Sequence, residues 1–205
     1  DDVEASTILF AGWGRSLAAT QYLSDLAWLH SWSRRVTRML LCLQRPLLVV
    51  TGAGGEEVAA ALSGLPVMCV PNPDWGDGLG ASLGAGIRAV CGRFPDASAA
   101  LVCLADHPLL DARALQTMLE RHLQAPDRII AGDHAGMPGP PVLFPSDCFS
   151  ELAAWHGAEG AQKWLRGQGR RVERVPLDVT DVDTSADLDR VRRQLTRPHE
   201  SSLDR

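Results

Sequence analysis

The 205 residues carry 45% hydrophobic and 22% charged side chains and a formal net charge of −5, an ordinary globular profile with enough apolar mass for one α/β core. Among twenty basic residues only Lys163 is lysine, so a Walker-type phosphate loop or a Schiff-base mechanism could draw on no other. The arginine clusters at 170–174 and 190–193 are interleaved with acids and no apolar run reaches the roughly 18–20 residues of a membrane span, so neither nucleic acid nor membrane is an expected partner.

Thr7 to Phe10 is a β-prone run that stops at Ala11-Gly12-Trp13-Gly14. Between Leu17 and Leu43 apolar residues recur at three- and four-residue intervals, the mark of one or two amphipathic helices. After Pro46, Leu47 to Val50 is a continuous apolar run of buried-parallel-strand type. Thr51 to Gly55 is a turn, and Glu56 to Leu62 a helix with acids where the macrodipole favours them. Val67 to Val70 reads as a strand, Asn72 to Gly80 as a polar loop and Ala81 to Val90 as a small-residue helix. Ala99 to Ala105 is a strand running into Asp106-His107-Pro108, and Asp111 can cap a helix from Ala112 to Leu123. Arg128 to Ala131 and Pro141 to Phe144 are short strands; Cys148 to Trp155 and Gly160 to Gly167 are helical. Val172 to Val175 is a strand, and Thr184 to Leu195 a closing helix.

Strands separated by helices require crossover connections, which predicts a three-layer, Rossmann-like α/β fold: a mostly parallel central sheet with helices on both faces. Residues 1–197 are expected to form one domain and 198–205 an exposed tail. The five cysteines (42, 69, 91, 103 and 148) show no Cys-x-x-Cys spacing. Cys42, Cys69 and Cys103 lie in or beside apolar runs, so they read as reduced core thiols. The histidines lack zinc-ligand spacing. With no basic-then-apolar leader, a cytoplasmic location is expected.

Ligands of parallel α/β sheets sit beyond the carboxyl ends of the strands. The chemistry is therefore expected at Gly12 to Arg15, Thr51 to Gly55, Asn72 to Ser82, and Asp106. Asp106 ends an apolar strand next to a proline, where a hard oxygen ligand suits a Mg²⁺–phosphate site. An Asx-turn or a helix cap is the plainer alternative, although Asp111 already offers that cap.

Five motifs stand in register: Asn72-Pro73-Asp74-Trp75 with Gly78-Leu79-Gly80-Ala81-Ser82-Leu83; Leu104-Ala105-Asp106-His107-Pro108-Leu109; Gly136-Met137-Pro138-Gly139-Pro140-Pro141-Val142-Leu143-Phe144; Gly157-Ala158-Glu159-Gly160-Ala161; and Asp181-Val182-Asp183-Thr184-Ser185-Ala186-Asp187-Leu188. In this order the chain resembles the molybdenum cofactor cytidylyltransferases and, more widely, the molybdopterin nucleotidyltransferase-like proteins. The resemblance runs from about Leu47 to Val191. It implies a Mg²⁺-dependent reaction in which an NTP, CTP favoured, is attacked at its α-phosphate by the terminal phosphate of molybdopterin. A molybdoenzyme or its insertion chaperone is a further candidate partner.

By this resemblance Ala11, Gly12, Gly14, Thr51, Gly78, Ser82 and Leu83 would hold the nucleotide. Asp106 would carry the metal, with Asp183 as a second ligand, and Gly136, Gly139 and Pro141 would shape the pterin side. The plainer alternatives are a strand-to-helix turn at Gly78 to Leu83, a helix cap at Asp181 and Asp183, and a simple turn at Gly136 to Gly139.

The amino-terminal signature departs from the pattern. The family's Ala-Ala-Gly-x-Ser-x-Arg-Met-Gly-x-x-Lys is matched here by Phe10-Ala11-Gly12-Trp13-Gly14-Arg15-Ser16-Leu17-Ala18-Ala19-Thr20-Gln21. Ser16 replaces the arginine, Ala18 the second glycine and Gln21 the lysine; Arg15, one position early, is the candidate catalytic cation. Pro140, Ala158 and Ser185 stand where the family has His, Asp and Pro. Two lost cationic contacts, at roughly 3–4 kcal/mol for a preorganised donor, are enough to silence turnover. Three readings follow: an active enzyme with Arg15 covering for the missing cations, a degenerate relative that binds without turnover, or a nucleotidyltransferase for another phosphorylated small molecule. Trp13 in the altered loop is expected to pack, Trp28, Trp32, Trp155 and Trp164 to be core or interface residues, and Lys163 to lie on the surface.

Overall fold

A computed structural model describes residues 6–11 (backbone), 34, 36–104, 110–157 and 160–177. Seven strands form one sheet: β1 (Ser6–Ala11), β2 (Leu47–Thr51), β3 (Met68–Pro71), β4 (Ala99–Leu104), β5 (Ile129–His134), β6 (Met137–Pro145) and β7 (Val172–Pro176), in the order β3-β2-β1-β4-β6-β5-β7. Every pairing is parallel except the two made by β6, which runs against β4 and β5. The predicted mostly parallel sheet is thus present, with one reversed strand inside it.

Side-chain alternation along the strands makes the layers, because successive residues point to opposite faces. Leu47, Val49, Leu101, Cys103, Ile130 and Leu143 face one core, shared with Val36, Leu40, Val58 and Leu62 and with Leu115, Met118 and Leu119. The last three belong to α3 (Ala112–Gln124) and Val58 to α1 (Gly55–Ala61). Leu48, Val50, Ala100, Val102, Ala131, Val142 and Phe144 face the other core. There they meet Leu83, Ile87 and Val90 of α2 (Leu79–Arg93), Phe149 and Leu152 of α4 (Phe149–Ala153), and Leu165 of α5 (Gln162–Gly167). The strand runs have no polar face because both sides are covered, as in parallel sheets generally. Full burial of side chains such as Leu101 and Phe144 stabilises the fold by about 1.5–3 kcal/mol each.

Helix ends follow the sequence. Asp111 caps α3, its carboxylate accepting from the Arg113 amide at 3.1 Å. Glu56 and Glu57 occupy the first turn of α1. Of the amphipathic stretch expected up to Leu43, residues 36–41 are helical, and residues 12–33 lie outside the described ones.

Two expectations need correction. The strand expected at Pro141 to Phe144 extends from Met137 to Pro145, because backbone pairing with β5 carries it through a Gly- and Pro-rich segment that has weak intrinsic strand preference. Met137 to Gly139 are therefore strand, and the turn is confined to Ala135 and Gly136, both with positive φ (52° and 91°), the two-residue hairpin geometry that favours glycine. Cys42, expected in the core, is exposed, as is Cys91; the helical segment at 36–41 buries Val36 and Leu40 and turns Cys42 outward.

Candidate functional site

The strand order reverses direction at β1. The chain builds outward from β1 to β2 and β3, then returns to place β4 on the other side of β1. Ala11 and Leu104, the last residues of β1 and β4, are register partners, and Thr51 pairs with Pro71 at the ends of β2 and β3. Four strands therefore end along one sheet edge. The crevice of an open α/β sheet lies at such a reversal. Gly12, Gly14 and Arg15 follow Ala11 in sequence, and Asp106 follows Leu104; these four, and Asp183, lie outside the described residues.

The loop between β3 and α2 is built by buried polar contacts. Asn72 is 3% exposed and its backbone amide donates to the Thr51 carbonyl at 2.8 Å, clamping this loop to the end of β2. Its side-chain Nδ2 donates to Ser82 Oγ at 3.1 Å, and its Oδ1 accepts from the Asp74 amide at 3.1 Å. The second contact is an Asx-turn, legible in Asn72-Pro73-Asp74. The first is not legible, since it joins residues ten apart through a turn and a helix start. Ser82 is itself buried, so its hydroxyl holds the loop in place. Leu83 packs into the core under α2; its side chain serves packing and does not line the edge.

The two loops also touch. A Cβ on Gly52 would stand 2.6 Å from Trp75 Cβ, so only glycine lets the β2 loop lie against Trp75. Gly78, the N-cap of α2, has φ 119° and ψ −167°, a conformation essentially restricted to glycine. The fifteen-residue α2 has no acid in its first turn, whereas α1 has two. The positive end of α2 and its first-turn amides, which have no acceptor within the helix, thus remain suited to an anion.

Across the sheet, the β5–β6 hairpin carries Gly136, Gly139 and Pro141. Asp133 Oδ1 accepts from the Gly136 amide at 2.6 Å, and Arg174 Nη1 donates to the Gly136 carbonyl at 2.7 Å. Gly139 and Pro141 are buried strand residues, and the Pro140–Pro141 peptide is cis. His134 Nε2 lies 2.6 Å from the Pro140 carbonyl, which requires that nitrogen to carry the proton. An imidazole from the opposite strand of the hairpin thus stands beside the position where the resembling family has histidine and this chain has Pro140. A Cβ on Gly139 would come within 3.0 Å of the His134 ring. Neither His134 nor Arg174 had a sequence signal, because their partners come from hairpin pairing and from β7.

Among the described residues, no group of three or more His, Cys, Asp or Glu side chains is placed to hold a metal ion. The carboxylates expected for that role, Asp106 and Asp183, are outside them. Burial pushes the Cys148 thiol up to about 12, against the pull of the Arg171 guanidinium, and raises Cys69 and Cys103 as well. These thiols are protonated at neutral pH and poor nucleophiles. No described helix is long and apolar enough to cross a membrane.

Comparison with known proteins fits this layout. No curated protein matches the sequence. Among solved structures, Rv0371c from Mycobacterium tuberculosis H37Rv, in a complex with manganese, is 22% identical, with a TM-score of 0.65 over 91% of this chain and 98% of that one. A nucleotidyl transferase from Methanothermobacter thermautotroptrophicus is 18% identical, with a TM-score of 0.69 over 92% and 97%. Molybdopterin-guanine dinucleotide biosynthesis protein A from Archaeoglobus fulgidus is 16% identical, with a TM-score of 0.57 over 92% and 98%. At these identities the likeness establishes the fold, which is that of the nucleotidyltransferases. The sequence pattern of the MobA-like NTP transferase domain matches residues 8–175, from within β1 into β7, and the chain accordingly belongs to the MobA-like NTP transferase domain family.

Proposed function

We propose that this chain binds a nucleoside triphosphate, CTP favoured, at the carboxyl edge of its sheet and transfers the nucleoside monophosphate to a molybdopterin-type phosphate. The observation that carries this reading is the clamp of Asn72 on Thr51 and Ser82, which fixes the glycine-capped start of α2 beside the β1/β4 reversal. First-turn amides at Leu79 to Ala81 suit the nucleotide's phosphates. Ala11, Gly12, Gly14 and Thr51 complete the nucleotide side, Arg15 supplies the cation, and Gly136, Gly139 and Pro141 bound the acceptor side.

In the reaction an oxygen of the acceptor's terminal phosphate forms a bond to the α-phosphorus. The bond from that phosphorus to the β-phosphate bridging oxygen breaks, and pyrophosphate leaves. A divalent cation held by Asp106 and Asp183 supplies charge neutralisation at the phosphates when bound. Positioning and electrostatics supply most of the catalysis for such a transfer.

Ser16 and Gln21, in the places of the family's arginine and lysine, favour a second reading, in which the chain binds a pterin, a nucleotide or a molybdoenzyme partner without turnover. A neutral Gln cannot make the charge-assisted contact that Lys makes to phosphate. The deciding experiment is pyrophosphate release from CTP, GTP or ATP with molybdopterin, in Mg²⁺ and in Mn²⁺. Release with one nucleotide supports the transferase; binding with no release under any condition supports the second reading; neither binding nor release removes both.

A further inference from the structure

The reversed strand does not follow its partner evenly. Ala131 of β5 pairs with Val142, but the next residue, Gly132, pairs with Gly139, so Pro140 and Pro141 stand out of register as a bulge on β6. Neither proline has an amide proton to give to the ladder. Val102–Val142 is the last pair that β4 makes with β6 on this side, so the bulge begins where β4 nears its carboxyl end at Leu104. Because β6 runs against both neighbours, β5 runs with β4, and its last residue, His134, stands at the same sheet edge.

His134 closes this bulge from the opposite strand. Its Nε2 donates to the Pro140 carbonyl at 2.6 Å, taking up a backbone oxygen that the bulge moves out of register. The imidazole lies on a floor of two glycines that pair across the hairpin. A Cβ on Gly139 would stand 3.0 Å from His134 Cδ2, and one on Gly132 would stand 3.3 Å from Nε2. Residues 132 and 134 share a face of the strand, so a side chain at either glycine would crowd the ring that reaches Pro140. The ring is half-buried, as is Pro140, and Pro141 is buried.

We propose that His134 is a positioning residue for the acceptor: its hydrogen bond sets the bulge at Pro140 and Pro141, and the bulge shapes the wall that the acceptor meets. Bulges beside active sites re-aim what the strand presents. The proline rings fix φ at both positions, so the wall has few conformations and one hydrogen bond to its carbonyl selects among them. A reactant misplaced by about 1 Å can lose about a hundredfold in rate. That the wall meets an acceptor rests on the nucleotidyl-transfer reading; the tie between His134 and Pro140 does not. The effect of His134 passes through Pro140 and Pro141 rather than through contact with the reacting atoms.

The test compares the full chain with His134→Leu, His134→Asn and His134→Gln. Leu cannot donate, Asn is too short to reach the Pro140 carbonyl from this position, and Gln carries an N–H donor about as far out as imidazole Nε2. Calorimetry gives the affinity for molybdopterin, and pyrophosphate release with CTP gives KM and kcat. His134→Leu and His134→Asn are expected to raise the molybdopterin Kd and KM about tenfold, as for one lost hydrogen bond. In both, kcat and the KM for CTP stay within about twofold, and His134→Gln restores the molybdopterin constants. Where His134→Leu does not fold, the two polar variants carry the comparison. An unchanged molybdopterin affinity in the variants that cannot donate, no recovery in His134→Gln, or an equal loss for CTP and molybdopterin overturns the proposal. Weakened binding that His134→Gln restores, without release in any form, removes the transferase reading and leaves this one standing. Release whose molybdopterin KM ignores all three substitutions does the reverse, and neither binding nor release overturns both.

Discussion

Asn72 Nδ2 donates to Ser82 Oγ at 3.1 Å with both side chains buried, so one amide ties the end of β3 to the first turn of the helix that caps the proposed nucleotide site. Truncating either partner leaves the other buried and unpaired, at about 1–3 kcal/mol. Ser82→Ala and Asn72→Ala are each expected to lower the unfolding free energy measured in urea by that amount and to weaken CTP binding. Because the residues touch, the double variant costs less than the sum of the single ones; strict additivity would show that the contact contributes nothing.

Gly52 and Trp75 make a second, steric link between the loops. The 2.6 Å approach of a Gly52 Cβ to Trp75 Cβ means that Gly52→Ala forces the loops apart, at the roughly 1–3 kcal/mol typical of overpacking. Trp75→Gly in the same chain removes the obstructing atoms. The pair measured together in chemical denaturation should therefore recover part of the loss caused by Gly52→Ala, and no recovery would place the strain elsewhere.

The buried thiols predict alkaline sensitivity. The Cys148 thiol is raised to about 12 when folded, first by burial, and Cys103 is raised by burial as well; an unfolded thiol titrates near 8.5. Above that value the unfolded chain releases the proton while the folded chain retains it. Stability is therefore fully present below about pH 8.5 and falls with rising pH, by up to about 1.4 kcal/mol per unit for each thiol, until the folded thiol titrates. Urea midpoints between pH 8 and 11 check this, and Cys148→Ala should make the decline shallower.

Restoring the family's cations tests whether their loss limits the chemistry. Ser16→Arg with Gln21→Lys is expected to raise the rate of pyrophosphate release by about a hundredfold or more, since one preorganised donor contributes roughly 3–4 kcal/mol to such transition states. Single-turnover rates with CTP and molybdopterin measure this. An unchanged rate would mean that the amino-terminal substitutions are compensated, with Arg15 as the first residue to replace.

The sequence alone determined most of the described elements and pointed to the sheet edge at which β1 to β4 end as the place to expect chemistry. Leu47 to Val50 and Ala99 to Leu104 are apolar on both faces, Asp111 announces its helix, and glycine, asparagine and aspartate mark the loops at the strand ends. All these signals are local, because periodicity and capping act over a few residues. Only the tertiary structure decided that β6 is reversed and extended through Met137-Pro138-Gly139, since that strand exists by pairing with β5 rather than by its own preference. The same holds for Asn72 on Ser82 and for His134 beside Pro140. Each of these sites depends on how segments pack against one another, and no window of the sequence encodes that by itself.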